Sequence, residues 1–530
     1  MSWYGKTSSP GIAMAVDYSL YLVTDSTQAI LGDRDLVTVV RAALEGGVTI
    51  VQYRDKTSET AELIRIGKQL HAITKEHNVP LLINDRVDVA LAVGAEGVHV
   101  GQDDMGLATA RKLMGPDAVI GVSCNSIDEA QKAAAGGASY LGIGTMFATS
   151  TKQNVRSVIG TAGTRAILTA LSDMDEKVAS VAIGGINASN LQRVMYQSKA
   201  TFKGLDGVAV VSAIFGAEDP KAMASELRRL GRTPPAFVTA HGNKATAVED
   251  LLAAVPGLVT ELGKSAPLCH NMTNLVVQNF AASVALSIGA SPIMSNYGEE
   301  AEDLARLSGA LVINMGTITP EGLQNYRLAL KAYNSQGGPV VLDPVGAGAT
   351  RIRQEGVKSL MAGGYFDVIK GNENEIKTVW GEGSVQQKGV DSGKSTASGV
   401  DMALLVKKLA ARERNVTLMT GRTDYLSDGE RTYSIRNGDD YLGQITGSGC
   451  TLGTTIASFL AVHKEDKLLA TLAGVLMFEI AAEHAARRAD VKGPGTFVPA
   501  FIDELHLVAK HAAMGGSVWI EGAKVEVMDV

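Results

Sequence analysis

The chain has 530 residues, of which 45% are hydrophobic and 20% charged, with 58 glycines and a formal net charge of −7. That length exceeds what a single hydrophobic core supports, so two domains of about 200–300 residues are expected, each burying a full core. The composition excludes fibrous and disordered classes, and the acidic balance argues against nucleic-acid binding, which calls for a clustered basic excess.

Cys124, Cys269 and Cys450 lie far apart without CxxC spacing, which leaves neither a disulfide framework nor a zinc cluster and fits a reducing compartment. The longest apolar stretch, 274–294, is broken by Gln278, Asn279 and Pro292 and reads as a packed element, so no membrane partner is expected. The first 33 residues carry one Lys, no Arg, and Asp17 and Asp25. That pattern suits neither a secretory signal nor a mitochondrial presequence, and a cytoplasmic location is expected.

Taken in chain order, short apolar runs recur at 20–23, 50–53, 81–83, 97–100, 119–122, 140–143, 181–183 and 207–210, with helical stretches between them. Near-continuous apolar strands imply burial on both faces, and eight with helical crossovers close a (β/α)8 TIM barrel. Chemistry in such barrels gathers where strands end. Arg54 and Lys56 follow the second strand, Asn84 and Asp85 the third, and Asp104 the fourth. Ser123 ends the fifth, residues 149–152 follow the sixth, Gly184-Gly185 the seventh and Ser212 the eighth.

The Pro/Gly-rich stretch 233–243 lacks apolar periodicity and is read as a linker between domains 1–232 and 244–530. Beyond it, long helical segments such as 274–288 alternate with strands at 311–314, 340–343 and 367–370, which predicts an open α/β sheet with helices on both faces. Residues 381–399 read as a surface loop. Within it, 389–395 resembles a Walker A loop, but three residues separate the glycines where that motif needs four.

Gln52, Arg54 and Lys56 alternate along the second strand and its continuation, so a period of two points all three donors one way, as a diphosphate requires. Solvated surface charge is the alternative for Arg54 and Lys56. Asn84, Asp85 and Asp104 are oxygen ligands of the kind Mg²⁺ takes together with substrate phosphates; a turn and helix cap is the alternative for Asn84-Asp85.

Residues 18–220 resemble the thiamine phosphate synthase family through Gln52-Tyr53-Arg54-Asp55-Lys56, Asn84-Asp85-Arg86, Gly101-Gln102-Asp103-Asp104, Gly121-Val122-Ser123, Thr149-Ser150-Thr151-Lys152, Ile183-Gly184-Gly185-Ile186 and Val211-Ser212-Ala213-Ile214. That family joins a hydroxymethylpyrimidine diphosphate to a thiazole phosphate with loss of pyrophosphate. The resemblance implies that Gln52, Arg54, Lys56, Asn84 and Lys152 hold the diphosphate, that Asp85 and Asp104 hold Mg²⁺, and that Ser123 lies near the pyrimidine. It assigns the thiazole phosphate to Thr149, Thr151, Gly185, Val211 and Ser212. An electron-rich aminopyrimidine stabilises a methylene cation, so a dissociative step is expected, with Lys152, Arg54 and Mg²⁺ supporting the leaving group and no protein nucleophile.

In the second half, Thr446-Gly447-Ser448-Gly449-Cys450 precedes an apolar, helix-like run at 451–462. Converging backbone N–H groups and the helix start make an anion hole there, although a tight turn is the alternative. Asn372-x-x-Glu375 and Asp343 follow strands and suit magnesium or phosphate.

Residues 246–515 resemble the ribokinase-like superfamily, and within it the hydroxyethylthiazole kinases. The motifs are Pro267-Leu268-Cys269-His270-Asn271-Met272-Thr273-Asn274, Gly289-Ala290-Ser291-Pro292-Ile293-Met294, Leu342-Asp343-Pro344-Val345-Gly346-Ala347-Gly348-Ala349-Thr350 and the Thr446 segment. The resemblance implies a thiazole pocket with Met294, Gly346 and Gly447, and metal ligands Asp343 and Glu375. It places ATP near Asn372, Thr420, Gly421, Asp424 and Gly449, and Cys450 at the transfer point. Most of the superfamily has an aspartate where Cys450 stands, and a thiol has the higher resting pKa. Cys450 is therefore expected to assist deprotonation only weakly, positioning and the anion hole supplying most of the rate. A small buried residue at a helix start is the alternative, and Cys124 and Cys269 read as structural.

The two implied steps are consecutive, since the kinase product is the synthase substrate. The synthase-first order resembles the fungal fusion, and related kinases imply a homo-oligomer built on kinase trimers. The rival readings are a hydroxymethylpyrimidine kinase in the second half, or one half acting as a non-catalytic thiamine-phosphate sensor.

Overall fold

A computed structural model describes residues 16–148, 157–239, 244–382 and 397–530. The sequence-derived sites Thr149, Thr151 and Lys152, and the loop 389–395, lie outside the described residues. The chain forms two compact units, one ending at Pro234 and one beginning at Pro235.

In the first unit β1 (Leu20–Val23), β2 (Ile50–Tyr53), β3 (Leu81–Asn84), β4 (Gly97–Val100), β5 (Val119–Cys124), β6 (Tyr140–Ile143), β7 (Ala179–Ile183) and β8 (Gly207–Val210) close into a parallel barrel in sequence order. The expected eight strands are all present. Their outward side chains pack on helices such as Leu36–Glu45 and Thr60–Glu76, whose apolar residues recur at helical spacing. Tyr21, Val23, Ile50, Leu82, Tyr140, Val181 and Ala209 fill the interior. Gly121 makes room for that filling, because a Cβ there would lie 2.0 Å from Tyr140 Cζ.

In the second unit nine strands among the described residues form one open sheet. They are β9 (Leu268–Met272), β10 (Ser291–Ile293), β11 (Ala310–Asn314), β12 (Val340–Asp343), β13 (Val368–Asn372), β14 (Val416–Thr420), β15 (Asp424–Ser427), β16 (Thr432–Ile435) and β17 (Val525–Val527). Their order is β10-β9-β11-β12-β13-β14-β15-β16-β17, parallel from β10 to β14 and antiparallel from β14 to β17. Helices cover both faces, with separate cores on each. Helix Lys467–Ala486 is long and apolar enough to span a bilayer, yet it is almost wholly buried as the central helix of one core.

Two expected boundaries shift. The helix expected over 274–288 spans Gln278–Ser287, because the Asn274 side chain accepts from Val276 N–H (3.2 Å) and holds the preceding residues in a turn. The stretch 233–243 is held by its own unit on each side as far as Thr239. In the first unit Gln192 donates to the Thr233 and Pro234 carbonyls. In the second, Phe237 stacks on Tyr365 with centroids 4.2 Å apart, and Lys467 donates to the Phe237 carbonyl (2.9 Å).

Candidate active sites

On the barrel, β2 ends at Tyr53 and the chain turns at once, because Asp55 accepts hydrogen bonds from the backbone N–H and hydroxyl groups of Thr57 and Ser58. That turn uses Asp55 and leaves Arg54 and Lys56 at the rim. Lys56 Nζ lies 3.0 Å from Asp85 Oδ2. Asp85 follows Asn84, the last residue of β3, in a left-handed conformation (φ 62°) that Asn and Asp tolerate better than most side chains, and its N–H donates to the His99 carbonyl (2.9 Å). Asp104 accepts from Gly101 N–H (2.7 Å) and lies near Asp85. Burial, then Asp85, push the Asp104 carboxyl up, and two neighbouring carboxyls after adjacent strands have the form of a divalent-cation site.

Gln52 is buried, whereas Arg54 and Lys56 reach the rim. It lies within β2, where alternation sends its side chain into the barrel, and its amide donates to Tyr21 Oη (2.6 Å). From there a relay crosses the interior: Tyr21 Oη to Tyr140 Oη at 2.7 Å, Tyr140 Oη to His99 Nδ1 at 2.7 Å, and His99 Nε2 to Ser123 Oγ at 2.8 Å. Three strands besides β2, namely β1, β6 and β4, thus contribute to orienting Ser123 on β5. Sequence reasoning missed Tyr21, His99 and Tyr140, which sit in apolar runs as ordinary strand residues.

After β7, Gly184 and Gly185 have φ of 105° and 67°. A Cβ at Gly184 would meet Thr145 Cγ2 at 2.5 Å, so the backbone approaches the loop after β6 as only glycine allows. Val211 and Ser212 open the short helix Ser212–Phe215 after β8. Loops after the seventh and eighth strands with a short extra helix form a recurrent phosphate site in this barrel type.

In the second unit the helix begins earlier than expected, at Ser448, with Gly447 as its N-cap at φ 86°. Gly449 and Cys450 are therefore first-turn residues, and Thr451 N–H is bonded back to the Gly447 carbonyl (2.9 Å). A Cβ on Gly447 would meet Val277 Cγ1 at 2.1 Å. Lys370, from β13, donates to the Gly449 carbonyl (2.8 Å) and lies 3.3 Å from Asp343 Oδ2. Asn314 Nδ2 donates to the same Asp343 oxygen (2.8 Å), and Asn274 Nδ2 reaches both Asn314 Oδ1 (3.0 Å) and Cys450 Sγ (3.4 Å). Lys370, Asn314 and Asn274 were not assigned a role from sequence. Burial alone would lower the Lys370 pKa, but Asp343 and its other acidic neighbours raise it, so it is a fixed cation.

Asp343 is fully buried, its carboxyl raised by burial, and its Oδ1 has no hydrogen-bond partner among the described residues. Glu375 accepts from Gly346 N–H and Asn372 N–H (2.8 Å each), and Asn372 Oδ1 accepts from Glu375 N–H (3.1 Å), a capping box for helix Glu373–Trp380. Asn372 thus serves first as a helix cap. Burial, then Asp343, push Glu375 up to about 7. An orphaned buried carboxylate oxygen beside a second raised carboxyl fits a cation. Gly346 takes φ 66° in the turn after β12, and Met294 directly follows the edge strand β10.

Thr420 ends β14, and Gly421 N–H donates to Asp424 Oδ1 (2.9 Å). Asp424 is buried, and this bond fixes the Thr420–Gly421 turn. Burial pushes Cys450 up to about 11, with Asp343 adding to the effect; Cys124 and Cys269, buried, are pushed up to about 12 and 11.

The thiamine monophosphate synthase family model matches residues 20–214, and the hydroxyethylthiazole kinase family model matches 259–511. The chain is 44% identical over 517 residues to a probable thiamine biosynthetic bifunctional enzyme of Schizosaccharomyces pombe, covering 96% of this chain and 99% of that one. It is 37% identical over 522 residues to the thiamine biosynthetic bifunctional enzyme of Saccharomyces cerevisiae, covering 93% and 95%. A solved hydroxyethylthiazole kinase structure from Pyrococcus horikoshii OT3 matches with 34% identity and a TM-score of 0.46, covering 52% of this chain and 100% of that one. The chain belongs to the family of thiamine biosynthetic bifunctional enzymes, its first unit a thiamine phosphate synthase and its second a hydroxyethylthiazole kinase.

Proposed function

We propose that the second unit transfers the γ-phosphoryl group of ATP to the hydroxyl of 4-methyl-5-(2-hydroxyethyl)thiazole, and that the barrel joins the resulting thiazole phosphate to hydroxymethylpyrimidine diphosphate. The observation that carries the kinase half is the tie from Lys370 to both Asp343 and Gly449, which fixes a carboxylate and a helix start within one buried cluster.

In the kinase, the new bond joins the thiazole hydroxyl oxygen to phosphorus, the bond to the ADP oxygen breaks, and the hydroxyl proton is lost to solvent. The first-turn N–H groups of Ser448, Gly449 and Cys450 face the charge that develops on the phosphoryl oxygens, and Lys370 holds that turn in place. Asp343 and Glu375 would hold Mg²⁺, which neutralises phosphate charge when bound. Cys450, kept neutral by burial, fills the transfer point and contributes little as a base. Met294, Gly346 and Gly447 border the thiazole; Thr420 and Gly421, braced by Asp424, face ATP together with Asn372 and Gly449.

In the barrel, the C–O bond to the diphosphate breaks, pyrophosphate leaves, and the thiazole nitrogen forms a bond to the methylene carbon. Arg54 and Lys56 balance charge on the leaving group. Ser123, oriented through His99, Tyr140, Tyr21 and Gln52, holds the pyrimidine, and Asn84 borders the diphosphate. Gly185, Val211 and Ser212 hold the thiazole phosphate. Asp85 and Asp104 would hold Mg²⁺, which takes up oxygen charge when bound. Lys152, Thr149 and Thr151, assigned from the resemblance, complete the two phosphate sites. The proposal includes a cytoplasmic setting and a homo-oligomer of kinase trimers.

ADP release with each alcohol offered separately tests the kinase half. Hydroxyethylthiazole should support turnover and hydroxymethylpyrimidine should not; the opposite preference would assign the second unit to pyrimidine phosphorylation.

A further inference from the structure

Asp25 directly follows β1 and Thr24, and together these two residues grip Arg54 on the neighbouring strand. The Thr24 hydroxyl accepts from Arg54 N–H (2.9 Å) and donates to the Arg54 carbonyl (3.2 Å), which fixes the backbone of that residue. Asp25 is 2% exposed. Its Oδ1 accepts from the N–H and hydroxyl of Thr27, and its Oδ2 lies 3.7 Å from Arg54 Nη1. A buried carboxylate needs a compensating charge, and Arg54 is the cation that the ion pair supplies. The separation exceeds a direct hydrogen bond. Asp25 therefore draws the guanidinium into place without occupying its donors, and the Arg54 side chain remains 24% exposed at the rim.

We propose that Asp25 is a positioning residue for the synthase reaction, holding Arg54 aimed at the diphosphate site before substrate arrives. This rests on the assignment of Arg54 to the diphosphate made above. A long side chain fixed in advance costs less ordering when the anion binds and stays aligned as charge builds on the leaving group. Thr27 serves the turn, whereas Oδ2 serves Arg54, so the two functions of this carboxylate separate by substitution.

The test is synthase kinetics with thiazole phosphate supplied and pyrimidine diphosphate varied, on Asp25→Asn, Arg54→Ala and the double variant, with the inhibition constant of inorganic pyrophosphate as a binding readout. Asp25→Asn keeps an acceptor for Thr27 and removes the charge. It should lower kcat/KM about tenfold, mainly through KM, and weaken pyrophosphate inhibition, while costing less than about twofold in the Arg54→Ala background. Thr27→Val, which loosens the turn and spares the charge, should leave KM within about twofold of wild type. If Asp25→Asn loses the melting transition of the barrel, Asp25→Glu replaces it, with a severalfold rise in KM expected only when Arg54 is present. Loss of the same size in both backgrounds, or no loss from Asp25→Asn while Arg54→Ala is impaired, overturns the positioning role and leaves the site intact. Normal kinetics for Arg54→Ala would overturn the diphosphate assignment itself, and this proposal with it.

Discussion

Lys370 Nζ is 2.8 Å from the carbonyl oxygen of Gly449, so a buried cation on β13 ties down the first turn of the helix that carries Cys450. The same ammonium is 3.3 Å from Asp343 Oδ2. Removing it both frees the turn and strands a buried carboxylate, a change that costs about 3–5 kcal/mol when one partner of a buried pair is lost. Lys370→Met should lower kinase kcat about 100-fold or more and reduce the melting temperature of the second unit by calorimetry. Synthase activity, assayed with thiazole phosphate supplied, should be unchanged.

Cys450, with its thiol pushed up to about 11 by burial and then by Asp343, is almost wholly protonated near neutrality. Kinase kcat should show no inflection from this group between about pH 7 and 9. Alkylation of the folded protein by iodoacetamide, followed by mass spectrometry of the Cys450 peptide, should be slow at about pH 8 and rise roughly tenfold per pH unit. Cys450→Ala should keep kcat within about tenfold of wild type. Rapid alkylation at neutral pH would mean a thiolate is present.

Asp424 and Glu479 are buried neighbours, and burial pushes Asp424 up to about 6 and Glu479 well above its ordinary value. A carboxyl whose folded pKa is raised contributes stability that is complete below its unfolded pKa, 3.8 for Asp424, and lost as pH rises through the folded one. The second unit should melt at a higher temperature near pH 5 than near pH 8. Glu479→Gln, which donates to Asp424 without a charge, should raise the melting temperature at pH 8 by about 2 °C or more and narrow the difference between the two pH values. An unchanged difference would show that the pair does not titrate together.

Tyr140 is the middle of the barrel relay, hydrogen-bonded to both Tyr21 and His99. Tyr140→Phe removes the partner of His99 Nδ1 and leaves Tyr21 Oη with Gln52 alone, at about 1–3 kcal/mol. Synthase kcat/KM should fall about tenfold. Gly121→Ala would place a methyl 2.0 Å from Tyr140 Cζ and should displace the ring, with the same kinetic loss and about 1–3 kcal/mol of destabilisation. Chemical denaturation and steady-state assays separate the two effects.

The barrel strands were legible because a strand buried on both faces is an apolar run, and each run coincides with a strand to within two residues. The rim residues Arg54, Lys56, Asp85 and Asp104 were legible because they break those runs. Tyr21, His99 and Tyr140 were not, since a polar atom on an otherwise apolar strand gives no sign of which neighbour it meets until register is fixed. Lys370 ends a run that was recognised as a strand, but its role depends on the helix start at Ser448 coming to lie against β13, a contact between segments 79 residues apart. Asn372 shows the opposite case. Its spacing to Glu375 suggested a ligand pair, and the same spacing is that of a capping box.

The account's central claim is that each unit holds its own anion site and that the two act in succession. The direct measurement supplies hydroxyethylthiazole, ATP, Mg²⁺ and hydroxymethylpyrimidine diphosphate, then separates thiazole phosphate and thiamine phosphate by chromatography. Wild type should yield thiamine phosphate, Arg54→Ala should accumulate thiazole phosphate, and Lys370→Met should yield thiamine phosphate only when thiazole phosphate is added. Loss of both steps from either substitution in a folded protein, or no thiamine phosphate from wild type, would contradict it.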